Sequence, residues 1–184
     1  YQLKNSALTN ELVLLAEQKP SLMNNLILEV TENVLINDAS VDRISKLRKA
    51  GYRIALDDFG TGFSSLSHIA RMPIDILKID QSFIARFDDS ERDRLLLKNI
   101  VAMAKDLNLH IVAEGIESEH QADQLADMGC PNMQGYFFSR PKALNDFEAK
   151  FSLAYRVGNQ DCFRQPSVLT PDLTSPVESV EPVD

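Results

Sequence analysis

Ile54-Ala55-Leu56-Asp57-Asp58-Phe59-Gly60-Thr61-Gly62-Phe63-Ser64-Ser65-Leu66 is the stretch on which the fold turns. An apolar run ends in two adjacent carboxylates, followed by two glycines and a Ser/Thr-rich turn. Carboxylates next to buried strand residues are costly unless a cation or a proton compensates them. The stretch therefore reads as a metal site at a strand end, under a loop whose glycines free the backbone to fold back. A surface turn rich in Asp and Gly has the same composition, and these residues alone do not separate the two readings.

Upstream, Leu8, Leu12, Leu15 and Ala16 share one helical face, closed by Pro20. Residues 26–30 form a short apolar strand that runs into Glu29-Val30-Thr31-Glu32. Val41, Ile44 and Leu47 mark the buried stripe of a helix that Asp38 can cap and Gly51 stops. Downstream, residues 63–71 read as a short helix stopped before Pro73, and residues 74–79 as a strand carrying Lys78. Asp89 or Ser90 starts a long helix with Leu96, Ile100, Met103, Ala104 and Leu107 inward. A strand over 110–113 runs into Glu114-Gly115-Ile116-Glu117. Ser118-Glu119-His120-Gln121 reads as a capping box, and Gly129 ends the helix it opens. Residues 132–135 form a last short strand, and 144–155 one more helix.

Strands alternating with helices at short intervals imply βα units and a parallel sheet. A doubly wound sheet and part of a (β/α)8 barrel both fit the five strand candidates. From Val157 onward Pro166, Pro171, Pro176 and Pro182 sit among Ser, Thr, Asp and Glu. Residues 157–184 are expected to be a disordered acidic tail, leaving 1–156 as the folded part.

The 184 residues, 44% hydrophobic and 25% charged, suffice for one domain with a core. The net charge of -8 argues against non-specific binding to a DNA or RNA polymer and to an anionic membrane surface. Cys130 and Cys162 form neither a metal spacing nor a disulfide framework, which fits a reducing, cytoplasmic compartment. No apolar run is long enough to span a bilayer.

Glu29, Asp57, Lys78 and Glu114 each close a different apolar strand. In a parallel barrel the C-terminal strand ends meet at one face, where catalytic groups converge. A strand can also end in a charge because it reaches solvent, but four coincidences are hard to explain that way. Three carboxylates plus Asp58, without a nearby His or Cys, suit a hard cation such as Mg²⁺ or Mn²⁺. Paired ions bridged by a carboxylate point to phosphoester hydrolysis. Lys78 among carboxylates stays protonated and can hold an attacking water or offset developing charge. A Schiff-base, aldolase-type role for Lys78 needs a depressed pKa, which neighbouring carboxylates oppose. Glu32 and Glu117 each lie three residues past a site carboxylate, where they suit hydrogen bonding to the loop around Gly60-Thr61-Gly62. A helix-N-terminal role for either is the alternative. Gln134 ends the last strand and can reach a ligand, or else fill a barrel layer. His68, His110 and His120 lie on separate elements and read as structural or surface residues.

In order along the chain, Glu29-Val30-Thr31-Glu32, Asp57 to Leu66, Leu77-Lys78-Ile79-Asp80, Ala113-Glu114-Gly115-Ile116-Glu117 and Gln134-Gly135-Tyr136-Phe137-Phe138-Ser139-Arg140-Pro141 resemble the motifs of the EAL domain, the cyclic di-GMP phosphodiesterase family. The resemblance spans about residues 1–150, and Phe63 stands where the family commonly has Tyr. It implies a TIM-like (β/α)8 barrel that hydrolyses cyclic di-GMP to linear pGpG at a two-metal Mg²⁺ or Mn²⁺ site. It further implies Glu29, Asp57 and Asp58 as metal ligands and Lys78 as the residue orienting the water. Glu114 would be the general base or a metal-linked carboxylate. Glu32 and Glu117 would anchor the loop, and Gln134, Asp80 and Arg140 would position substrate. A homodimer through the loop after Asp58 and an upstream GGDEF or sensor domain are the partners it implies. An anchor to the inner membrane would lie in segments before Tyr1.

The family's Glu-Ala-Leu strand and the Asn of its Asn-x-Ser motif are expected before Tyr1, because Tyr1-Gln2-Leu3 resembles the residues directly after that motif in the family. Two ligands and the first strands of the barrel are thus absent from this stretch. The chain alone is expected to be inactive or poorly folded, and the parent protein active. A degenerate EAL domain that binds cyclic di-GMP without cleaving it is the alternative, although every motif carboxylate visible here is intact.

Overall fold

Five short strands pair side by side, all parallel, in the order β1-β2-β3-β4-β5. They are β1 (Ile27–Thr31), β2 (Arg53–Phe59), β3 (Ile76–Ile79), β4 (His110–Glu114) and β5 (Asn132–Gln134). A parallel sheet needs a crossover between successive strands, and helices supply several of them. The helices are α1 (Ser6–Gln18), α2 (Asp38–Lys49), a one-turn α3 (Gln81–Ile84), α4 (Glu91–Asp106) and α5 (Glu119–Asp127). The computed structural model describes residues 6–32, 38–60, 69–87 and 90–149. The loop beyond Gly60, most of the helix expected over 63–71, and the tail expected over 157–184 lie outside them. Residues 144–149 are helical, as expected at the start of 144–155.

The fold is therefore α/β, with the sheet order of one arc of a parallel barrel. Side chains alternate across each strand, and registered partners share a face. Val30, Leu56, Leu77 and Ile111 form one such row, and Ile79 and Ala113 another. These residues are buried in one core with Ile44 and Leu47 of α2, Leu97, Ile100, Val101 and Ala104 of α4, and Ala122 and Leu125 of α5. The opposite face carries Glu29, Asp57, Lys78 and Glu114. The apolar face thus fixes the sheet against the helices and leaves the polar face for chemistry.

Local signals set several helix ends. Ser118 Oγ accepts from Gln121 N at 3.2 Å, and Gln121 Oε1 accepts from Ser118 N at 3.2 Å, which completes the expected capping box. Ser90 Oγ accepts from Asp93 N and starts α4. Gly51, at φ +103°, follows α2 in the left-handed region open to glycine. Within α4 the inward stripe differs from the one expected: Leu96 is exposed, and Leu97 is buried in its place. Leu95-Leu96-Leu97 offers three consecutive apolar positions, so only packing against the sheet selects the one that faces in.

The N-terminal edge of the sheet is stitched by a residue that the sequence motifs do not mark. Asp75 is buried, and its carboxylate accepts from Arg48 Nε at 2.9 Å and from Ile54 N at 2.9 Å. Its backbone joins Ile54 O on one side and His110 N on the other. One residue therefore ties the starts of β2, β3 and β4 to the last turn of α2. Tyr52 is buried as well, and its hydroxyl donates to Leu12 O at 2.9 Å and docks α1. Among the described residues, no helix is long and apolar enough to cross a membrane.

Candidate metal centre

The carboxylates meet because parallel strands all deliver their C-terminal ends to the same edge. Lys78, on the buried β3, is the hub. Its Nζ lies 2.8 Å from Asp57 Oδ1, 2.8 Å from Glu114 Oε1 and 3.0 Å from Glu29 Oε1. Burial by itself lowers the pKa of this ammonium, but the contacts with Asp57, Glu114 and Glu29 outweigh it and hold the pKa above the ordinary lysine value. Lys78 is therefore a fixed positive charge, as expected from its neighbours, and not the neutral amine that a Schiff base requires.

Asp57 and Asp58 are sequence neighbours, which on a regular strand would point to opposite faces. A bulge prevents this. Leu56 pairs with Leu77 and Phe59 with Ile79, so two residues of β2 stand opposite the single Lys78. Asp58 absorbs the extra residue with φ +54°, a conformation that non-glycine residues rarely adopt. Phe59 then returns to the core face. Oxygens of Asp57, Asp58 and Glu114 consequently lie within 4.8 Å of one another, a group able to hold a metal ion.

The donor set tests whether a divalent cation fits. All three groups are carboxylates, the ligands of hard cations. Asp57 Oδ1 is buried and is met by the Lys78 ammonium at 2.8 Å, which leaves the other carboxylate oxygens of the group for an ion. The donors therefore fit a divalent ion. Glu29 stands apart: its side chain is 52% exposed, and it joins the site through Lys78 and not as a member of the close carboxylate group.

A pocket of about 310 Å³ opens beside the cluster, lined among others by Asp58, Asp80, Glu114, Glu117, Gln134 and Tyr136. A larger cavity of about 870 Å³ lies between α4 and α5, but no candidate site residue borders it. Candidate site residues border the smaller pocket. Asp80 borders it and also caps α3, accepting from Ser82 N at 2.9 Å. Glu117 is exposed, and its backbone N–H donates to Gln121 Oε1 at 2.9 Å. Glu32 is buried. The loop that Glu32 and Glu117 are expected to anchor continues past Gly60 outside the described residues. Arg140 stacks its guanidinium 4.6 Å over the Tyr136 ring. Tyr136 is thus a pocket residue that motif reading passes over, although its place next to Gln134-Gly135 is a signal. Gly135 lies so close to the Ile116 backbone that any Cβ there would collide with it.

Comparison with known proteins agrees with this geometry. The family profile described as "EAL domain" matches residues 1–141. The chain is 44% identical over 131 residues to the cyclic di-GMP phosphodiesterase NbdA of Pseudomonas aeruginosa, covering 70% of this chain and 17% of that protein. It is 42% identical over 120 residues to the bifunctional diguanylate cyclase/cyclic di-GMP phosphodiesterase MucR of the same organism, covering 64% of this chain and 18% of MucR. The chain thus spans less than a fifth of these curated relatives. Among solved structures, the PaMucR phosphodiesterase in its c-di-GMP complex aligns with a TM-score of 0.72 at 36% identity, covering 79% of this chain and 60% of that one. The EAL domain of Mycobacterium smegmatis DcpA aligns with a TM-score of 0.74 at 30% identity, covering 83% and 69%. The motifs on the strand ends, the parallel sheet that carries them and these matches lead to one conclusion: the chain belongs to the EAL domain family.

Proposed function

We propose that this chain carries most of the catalytic face of a metal-dependent phosphodiesterase that opens cyclic di-GMP to linear pGpG. The observation that carries the reading is the convergence of Asp57, Asp58 and Glu114 around the Lys78 ammonium, beside an open pocket. Asp57, Asp58 and Glu114 would hold the divalent ion, Mg²⁺ or Mn²⁺, with Glu29 completing the acidic wall. When bound, the ion supplies Lewis acidity toward a phosphoryl oxygen and lowers the pKa of a water.

The chain's own residues do the rest. Lys78 would orient the attacking water by giving up one of its three carboxylate contacts to it when the ion takes that carboxylate. Its permanent charge also offsets the negative charge that builds up on a phosphodiester during attack. Glu114, in contact with Lys78, accepts the water's proton. Gln134 and Asp80 border the pocket where the substrate would lie, and Arg140 braces its wall through Tyr136. The relatives named as cyclic di-GMP phosphodiesterases support this substrate class. The three contacts on Lys78 speak against the aldolase-type alternative. In the whole protein, homodimerisation through the loop after Asp58 and coupling to a GGDEF or sensor domain would complete the system.

The test is product analysis on the whole protein that contains this chain. Cyclic di-GMP is incubated with Mg²⁺ or Mn²⁺, with and without a chelator. Formation of pGpG that stops on chelation is the expected result. Turnover that persists after complete chelation overturns the metal assignment. Tight binding without any product would favour a receptor role instead.

A further inference from the structure

The one-turn helix α3 sits between the ends of β2 and β4, the strands that carry the carboxylates. Its four residues are too few to be helical on intrinsic propensity. It is held by its cap and its anchors. Asp80 Oδ1 accepts from Ser82 N, and Asp80 O accepts from Phe83 N at 3.1 Å. Ile84 and Phe87 just beyond are fully buried in the core. Fixed in this way, α3 presents one side chain to each loop. The Phe83 ring packs on Gly60, where a Cβ would collide with the ring's Cε2 and Cζ. Gln81 packs on Gly115, where a Cβ would collide with Gln81 Cβ. Gly60 follows Asp58 by two residues, and Gly115 directly follows Glu114.

Asp58 at φ +54° and Gly60 at φ +96° place two left-handed residues within three positions. Such a conformation persists only where the surroundings over-determine it. The β2–β3 register shifts between Leu56 and Phe59, so contacts outside that ladder also bear on this turn, and the Phe83 ring on Gly60 is one of them. The ring fills the space beside Gly60, so the turn that follows Asp58 has no room to move toward α3.

We infer that α3 is a spacer that sets the position of the Asp57–Asp58 pair relative to Glu114, with Phe83 as a positioning residue. Phe83 touches neither metal nor substrate in this role. The inference rests on the reading that these carboxylates hold a divalent cation.

The experiment titrates Mn²⁺ alone into the whole protein, followed by electron paramagnetic resonance, for the parent, Phe83→Ala, Gly60→Ala, the double variant, and Leu97→Ala as a core control. Phe83→Ala is expected to weaken Mn²⁺ about tenfold, within the range seen when residues supporting metal ligands are removed. The KM for cyclic di-GMP should stay within about twofold while kcat falls with the lost metal occupancy. Gly60→Ala should harm Mn²⁺ binding less in the Phe83→Ala background than in the parent, because the clash with the ring is gone. Leu97→Ala should lower the melting temperature and leave Mn²⁺ affinity unchanged. Parental Mn²⁺ affinity in Phe83→Ala, or an equal loss in Leu97→Ala, overturns the spacer role while the metal site stands. A parent that does not bind Mn²⁺ at all overturns the metal site, and the spacer role with it.

Discussion

Asp58 turns its backbone to φ +54° one residue after Asp57, and this single left-handed residue brings two neighbouring carboxylates to one cluster. The bulge opposite Lys78 that makes this possible is a local distortion of β2 with a functional consequence. It also gathers three carboxylates whose mutual repulsion the single Lys78 ammonium offsets only in part.

That repulsion predicts opposite effects of Asp58→Asn on stability and on turnover. Asn tolerates the left-handed region, so the bulge survives. The metal-free whole protein should melt at an equal or slightly higher temperature, and turnover should fall by about a hundredfold or more, on the scale of a lost catalytic charge contact. A marked drop in melting temperature without metal would show that the carboxylate serves the fold and not the ion.

Lys78→Met removes the positive charge that faces Asp57, Glu29 and Glu114 together. Breaking a buried pair by deleting one partner costs about 3 kcal/mol, here reduced because Glu29 is half exposed. The chelated protein should lose stability, and added Mn²⁺ should restore much of it without restoring turnover. Thermal melts with and without Mn²⁺, run beside the product assay, separate the two effects. Full turnover in Lys78→Met would remove the lysine from the chemistry.

Asp75 offers a test far from the site. Asp75→Ala strands Arg48 and Ile54 N and should cost about 2–4 kcal/mol, from one buried hydrogen bond and one half-exposed ion pair. Asp75→Asn keeps an oxygen for one of the two donors and should cost about half of that. Denaturant melts measure both, and equal costs would show that the charge contributes little.

Cys130 gives a pH dependence with a definite sign. Burial is the largest influence on its thiol and raises the pKa from 9.0 to about 11, with backbone contacts at Ala113 and Asn132 pulling the other way. The folded state thus holds its proton more tightly than the unfolded chain. The resulting stability is fully present below about pH 9 and is lost as the pH rises toward about 11. Native protein should react slowly with a thiol reagent at pH 8, and Cys130→Ala should flatten the stability profile between these two values. An unchanged profile would assign the alkaline loss to other groups.

Much of the architecture is legible in the residues. The alternation of apolar runs with helical stripes announces a parallel sheet, and Ser118 with Gln121 announces a helix start that the hydrogen bonds reproduce. Both signals are local: a strand period of two residues, and a cap that spans four. The placing of Glu29, Asp57, Lys78 and Glu114 on separate strands is also readable, since each follows its own apolar run.

Other features depend on contacts between distant residues. Arg48 meets Asp75 across 27 positions, and no local pattern marks either partner. The choice of Leu97 over Leu96 is made by the sheet that α4 packs on. Motif reading treats Glu29, Asp57 and Asp58 as equals, whereas the geometry groups Asp58 with Asp57 and Glu114 and leaves Glu29 at the rim. The order of residues along the chain is enough to say which charges stand at strand ends and that the strands run in parallel, because periodicity and capping act over a few residues. Which carboxylates share a site is settled in three dimensions, because it depends on one bulged residue and on the ring of Phe83 packed against Gly60.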